Sequence, residues 1–231
     1  MHRRLKWGVY ILGCVLIFLL IQFKFLENHS WKPWNLPLSG KIIYLDPGHG
    51  GPDGGATKDG TQEKDIALNV AKKVRDYLQQ QGALVVLTRE KDKDLANQDT
   101  SGLSRRKTED LKKRLDLINK SDADLFISIH LNSIPSPHWR GAQTFFSPHY
   151  KENQKIAKLI QDELVLNLEN TNRLAKAIDH VYILRYAKKP GALVEIGFLS
   201  NQEEREQLKT DDYQEKVAAS IYKGVLRYFT E

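Results

Sequence analysis

The sequence predicts an α/β fold: one domain with a largely parallel sheet and helices on both faces, preceded by an apolar N-terminal segment and a tether. Three observations point there. Runs at residues 41–45, 83–88, 125–129 and 192–196 are short, rich in Ile, Val and Leu, and apolar on successive positions, as in strands covered on both faces. Helical periods at 64–81, 107–119, 152–168 and 213–228 separate or follow them, and strands alternating with helices imply parallel pairing. The length of 231 residues and the apolar fraction of 41% suffice for one sizeable core.

Residues 1–6 are basic, and residues 7–23 are apolar but for Gln22, a run of 17 closed by Lys24. That is at the lower limit for a helix crossing a bilayer, with Lys6 and Lys24 placed to reach the interfaces. No small-residue cleavage signal follows. Residues 1–27 are therefore expected to be a signal-anchor that crosses the cell membrane once, its N-terminus cytoplasmic and the rest exported; a cleaved secretory signal is the alternative. The sole cysteine, Cys14, lies in this segment, so the exported part has no disulfide of its own. Residues 28–40 have the Pro, Gly and Ser content of a tether, with Trp31 and Trp34 suited either to a membrane interface or to packing on the domain. Of the formal charge of +6, residues 1–30 carry +3 and the remainder is scattered among acids, so no nucleic-acid partner is expected.

The domain proper is expected at residues 41–231. Its first strand runs into Asp46, Pro47, Gly48, His49, Gly50 and Gly51, where Pro47 cannot continue a ladder and the glycines permit a sharp turn. The next helix carries Ile66, Ala67, Val70, Val74, Tyr77 and Leu78 on one face and stops at Gly82. Glu63 extends that stripe by one turn toward the N-terminus, which points it at the sheet; the alternative is a simple helix-dipole role. The run beginning at Phe126 is closed by His130, and the run ALVEIGF carries Glu195 inside a strand. Ser200 with Glu203 reads as a capping box opening a short helix, and His180 precedes another strand-like run.

In open α/β sheets, sites form beyond the carboxyl ends of the strands. His49 and His130 hold such positions, whereas His2, His29, His138, His149 and His180 read as exposed or hydrogen-bonded. An inward Glu63 needs a partner, because an unpaired buried charge is costly. Two imidazoles and one carboxylate make a three-ligand set with an open fourth position, suited to a hydrolytic zinc, and Glu195 is left to handle protons. Asp46 and Asn132 read as turn-forming or supporting residues. The intervals of 14 and 67 residues between the three ligands match no short metal motif.

LDPGHGGPDGGA, TQEKDIALNVA with Glu63, DLFISIHLNS and GALVEIGFLSN, in that order, resemble the motifs of the zinc-dependent family-3 N-acetylmuramoyl-L-alanine amidases. The resemblance runs from about Lys41 to the C-terminus and is strongest to the germination-specific type of the spore cortex. It implies a six-stranded sheet, Zn2+ held by His49, Glu63 and His130, and Glu195 as the catalytic carboxylate. The implied substrate is the amide joining N-acetylmuramic acid to the L-alanine of the stem peptide in peptidoglycan glycan strands. In cortex, its cleavage precedes muramic δ-lactam formation, which makes a peptidoglycan deacetylase the implied functional partner. One departure stands out: residues 91–110, KDKDLANQDTSGLSRRKTED, are longer and more charged than the usual link, and are expected to be an exposed loop rather than a rim of the groove. A catalytically silent wall-binding module and a scaffold with structural zinc are the competing readings. Structural zinc commonly uses four ligands including Cys, which the exported part lacks.

Overall fold

The computed structural model describes residues 2–28 and 36–231. Trp31, Trp34 and most of the expected tether lie outside the described residues. The helix α1 (His2–Asn28) is a unit by itself, and Pro37–Glu231 form a second, compact unit. Among the described residues no helix is long and apolar enough to cross a membrane, so the anchor expected over residues 1–27 is not supported. At the start of the compact unit, Leu38 is fully buried and its N–H donates to the Gln81 carbonyl. Residues 38–40 thus belong to the domain, three residues ahead of the expected boundary.

The chain then runs through β1 (Ile42–Pro47), a small hairpin of β2 (Thr57–Lys58) and β3 (Thr61–Gln62), α2 (Glu63–Gln80), β4 (Leu84–Leu87), α3 (Leu103–Lys120) and β5 (Leu125–Asn132). It continues through β6 (Gln143–Phe146), α4 (Lys151–Leu168), β7 (Lys176–Ala177), α5 (Tyr182–Tyr186), β8 (Gly191–Phe198), α6 (Gln202–Leu208) and α7 (Asp211–Thr230). Six strands form one sheet in the order β4-β1-β5-β8-β6-β7. The first four are parallel, and β6 runs antiparallel to β8, so the expected largely parallel six-stranded sheet is present.

Strand alternation divides the side chains between two layers. Ile43, Leu45, Leu125, Ile127, Ile129, Ala192, Val194 and Ile196 enter the main core with the apolar faces of α2, α4 and α7. Phe126 and Leu193 turn to the other face, where they pack on Leu115 and Ile118 of α3 and Ile183 and Leu184 of α5. Asp46, Ser128, His130 and Glu195 fall on that second parity, which is why polar side chains from three adjacent strands meet at one end of the sheet.

Three expectations change. The apolar run after His180 forms the short helix α5, since four apolar residues fit a helix as well as a strand and Ile183 and Leu184 bury together. The cap of α6 is Asn201, whose Oδ1 accepts from Glu204 N at 2.9 Å, one residue beyond the Ser200 box. Residues 91–110 are not a free loop. Asp92 accepts from Gly51 N at 2.7 Å and from Lys64 at 2.8 Å, Asp94 pairs with Arg106, and residues 103–110 open α3.

Candidate active site

The first strand delivers His49 through a turn that requires its glycines. His49 itself has φ 61, the left-handed region that non-glycine residues enter uncommonly. A Cβ on Gly48 would collide with the His130 ring, and one on Gly55, where φ is +67, would collide with Glu63 and His49. These two glycines are thus the cost of bringing three chemical groups into close approach. The imidazoles of His49 and His130 sit edge to face with centroids 5.1 Å apart.

Glu63, the first residue of α2, joins them from the opposite layer. Its side chain is buried, as the helical stripe predicts. One carboxylate oxygen lies 2.9 Å from His130 Nδ1 and accepts from Leu131 N at 2.9 Å. The other lies 3.2 Å from His49 Nε2 and accepts from Ala56 N at 2.8 Å. Burial works against its ionised form, but the bonds from His130 and His49 outweigh that and hold the carboxyl well below its usual range. One donor atom from each of His49, Glu63 and His130 lies within 4.8 Å of the others. The three expected ligands are therefore brought together.

Asp53 was not singled out by the sequence, yet it fixes the orientation of His49. Its Oδ2 lies 2.8 Å from His49 Nδ1, leaving Nε2 turned to Glu63, and Lys107 of α3 approaches the same oxygen at 3.2 Å. Burial opposes a charged His49 ring, but Asp53 and then Glu63 outweigh it and push its pKa up to about 9. The i, i+4 spacing from His49 was the available signal. A metal-binding histidine that donates its second nitrogen to a carboxylate is a recurrent arrangement.

Glu195 lies on β8 directly beside His130 of β5 in the parallel register. Its Oε2 is enclosed without a hydrogen-bond partner. Burial pushes its pKa up to about 7, with His130 and His49 pulling down and Glu63 pushing up. Asp46, expected in a supporting role, is buried and accepts from Thr88 at 2.6 Å, Ser128 at 2.7 Å and Arg114 at 2.9 Å. Asn132 contributes its carbonyl, which accepts from Leu199 N.

Two imidazoles, a buried carboxylate held by backbone N–H groups, and an unpartnered acid beside them fit a zinc ion with one position open to water. The comparisons with known proteins point to an amidase. The family model described as N-acetylmuramoyl-L-alanine amidase matches residues 43–227. The germination-specific N-acetylmuramoyl-L-alanine amidase of Bacillus subtilis is 60% identical over 231 residues, covering 100% of this chain and 98% of the relative. A solved structure of the CwlD amidase from Clostridioides difficile in complex with the GerS lipoprotein is similar with a TM-score of 0.80 and 39% identity, over 82% of this chain and 98% of that one. The catalytic domain of CwlV, an N-acetylmuramoyl-L-alanine amidase from Bacillus (Paenibacillus) polymyxa var. colistinus, is similar with a TM-score of 0.72 and 29% identity, over 82% and 98% of the two chains.

Proposed function

The chain belongs to the N-acetylmuramoyl-L-alanine amidase family and is a peptidoglycan amidase, and from that premise we propose that it works with one zinc ion held by His49, Glu63 and His130 and with Glu195 as proton carrier. The observation that carries this reading is that one buried carboxylate, Glu63, reaches both imidazoles while Glu195 keeps an unpartnered oxygen on the adjacent strand.

Zinc bound there would supply the Lewis acidity that makes water nucleophilic near neutral pH and offsets charge on the carbonyl oxygen. Glu195 takes the proton from the attacking water and returns it to the alanine nitrogen as the C–N bond breaks. Burial, which raises its pKa, favours Glu195 holding a proton between the two halves of that task. Asp53 holds the His49 ring, and Ala56 N and Leu131 N hold the Glu63 carboxylate, so the ligand set is organised before substrate arrives.

The likeness to a germination-specific relative supports a place in spore-cortex maturation, where loss of the stem peptide frees the lactyl carboxyl needed for a muramic δ-lactam. The partner named for the Clostridioides difficile relative is a lipoprotein, and a lipoprotein rather than the expected deacetylase is the partner that this supports. For α1, the exposure of Ile11, Leu12 and residues 15–21 supports an apolar setting for that helix.

The test is to incubate the purified protein with cortex and vegetative peptidoglycan, with and without chelator, and to identify the new groups by mass spectrometry. The expected result is a free lactyl carboxyl and an L-alanine amino terminus, lost with chelator and restored by zinc. Cleavage at another bond of the stem, as a carboxypeptidase would give, contradicts the reading.

A further inference from the structure

The strand order places β6 beside β8, on the side away from β5. Its first residue, Gln143, pairs with Glu195, so the acid stands between the metal ligand His130 on one neighbour and Gln143 on the other. Next to Gln143 opens a cleft of about 580 Å³, lined by residues 138–140 and 169–173.

Two arginines, Arg140 and Arg173, line the cleft against one acid, Glu169, and it is already shaped. Arg173 donates through Nε to the Arg140 carbonyl and through Nη1 to Gln143 Oε1, both at 3.2 Å. Its guanidinium lies 5.3 Å from the Trp139 ring centre and 5.2 Å from that of Phe198. Among the described residues no carboxylate pairs with Arg173. The carboxylate near Arg140 is Glu203, at 3.4 Å with both side chains exposed, a contact of little strength. The two walls are joined beneath: buried Glu204 accepts from Gly141 N and Phe198 N, Asn170 donates to Tyr213, and Thr171 donates to the Ala142 carbonyl. An Arg held in this way loses little freedom when it meets a carboxylate.

Within the substrate, the glycan strand is neutral once the lactyl carboxyl is tied up in the amide, whereas the stem peptide carries free carboxylates. We propose that this cleft is a subsite for a carboxylate of the stem peptide, with Arg173 as its principal partner and Arg140 as its second. The proposal rests on the amidase reading and adds a direction: the peptide leaves the scissile amide past Glu195 and crosses the start of β6.

The experiment uses the full-length zinc-loaded protein and two muramyl-peptide substrates, identical except that the stem carboxylates are free in one and amidated in the other. Arg173→Gln is expected to raise KM for the acidic substrate by about tenfold or more, the scale of a lost charge-assisted hydrogen bond. Zinc content, kcat and the KM for the amidated substrate stay unchanged. Arg173→Lys recovers part of the loss, and Arg140→Gln shows a smaller shift of the same kind. Because Arg173 also steadies Gln143 beside Glu195, a merely structural role would lower kcat on both substrates alike, and that result overturns the proposal. So does an unchanged KM for the acidic substrate. Calorimetric titration with the acidic stem peptide alone separates this from the amidase reading. Binding that depends on Arg173 supports the cleft even if the wild type cleaves neither substrate, while binding indifferent to Arg173 overturns it.

Discussion

Asp46 and Arg114 meet at 2.9 Å with neither side chain more than 3% exposed. The same guanidinium donates to the carbonyls of Pro47 and His49. Arg89, equally buried, donates to the carbonyls of Pro47, Gly48 and Lys64. The left-handed turn that presents His49 is thus gripped from beneath by two arginines, and through the Lys64 carbonyl it is fastened to the turn of α2 that carries Glu63. Charge-assisted bonds of this kind are roughly twice as strong as neutral ones, which suits a backbone held away from its preferred angles.

Asp46→Asn is therefore expected to destabilise the domain by about 3–5 kcal/mol, the cost of leaving one member of a buried ion pair without its partner. Burial favours the neutral acid, but Arg114 and then Thr88 prevail and lower the pKa of Asp46. Its contribution is complete above the pKa of the unfolded carboxylate and is lost as pH falls through the lower folded value. Urea denaturation across pH should show the wild type weakening below about pH 4 and the variant responding less there. Equal midpoints at pH 7 would remove the pair from the account.

Asp53→Ala should lower zinc affinity by about 10- to 100-fold, because His49 loses the group that fixes its ring. Competition with a fluorescent chelator measures this directly. Affinity indistinguishable from wild type would mean that the His49 ring is oriented by Glu63 alone.

Glu195→Gln should keep its zinc and lose about 10²- to 10⁴-fold in turnover, since the amide can accept no proton from water. Paired measurements of metal content and hydrolysis on a purified glycan strand decide it. Turnover near the wild-type rate would refute the proton-carrying role.

A chain lacking residues 1–26 should be soluble and fully active, as Pro37–Glu231 form a compact unit without α1. Fractionation of cells making the full and shortened chains is the check. Partition of the shortened chain with membranes would show that attachment lies elsewhere.

Much of this was legible in the sequence, for reasons visible at particular residues. Uninterrupted apolar runs marked the four parallel strands, and the stripe from Ile66 to Leu78 told which way Glu63 points. His130 and Glu195 could be suspected singly, but their adjacency depends on the register of β5 against β8, which no local pattern encodes. Gln143–Phe146 escaped notice because an antiparallel strand of four residues beside β8 has too few positions to show a period. Arg89 and Arg114 carried no local signal, since their acceptors include backbone carbonyls distant in the chain. The charged link at 91–110 looked solvated for the same reason: its acids meet Gly51, Lys64 and Arg106 only after folding.

Zinc stoichiometry of the purified full-length protein, set against His130→Ala under the same dialysis, reaches the central claim most directly. One ion per wild-type chain and close to none in the variant is the predicted pair of values. Full occupancy in the variant would contradict the assignment of His49, Glu63 and His130 as joint holders of the metal.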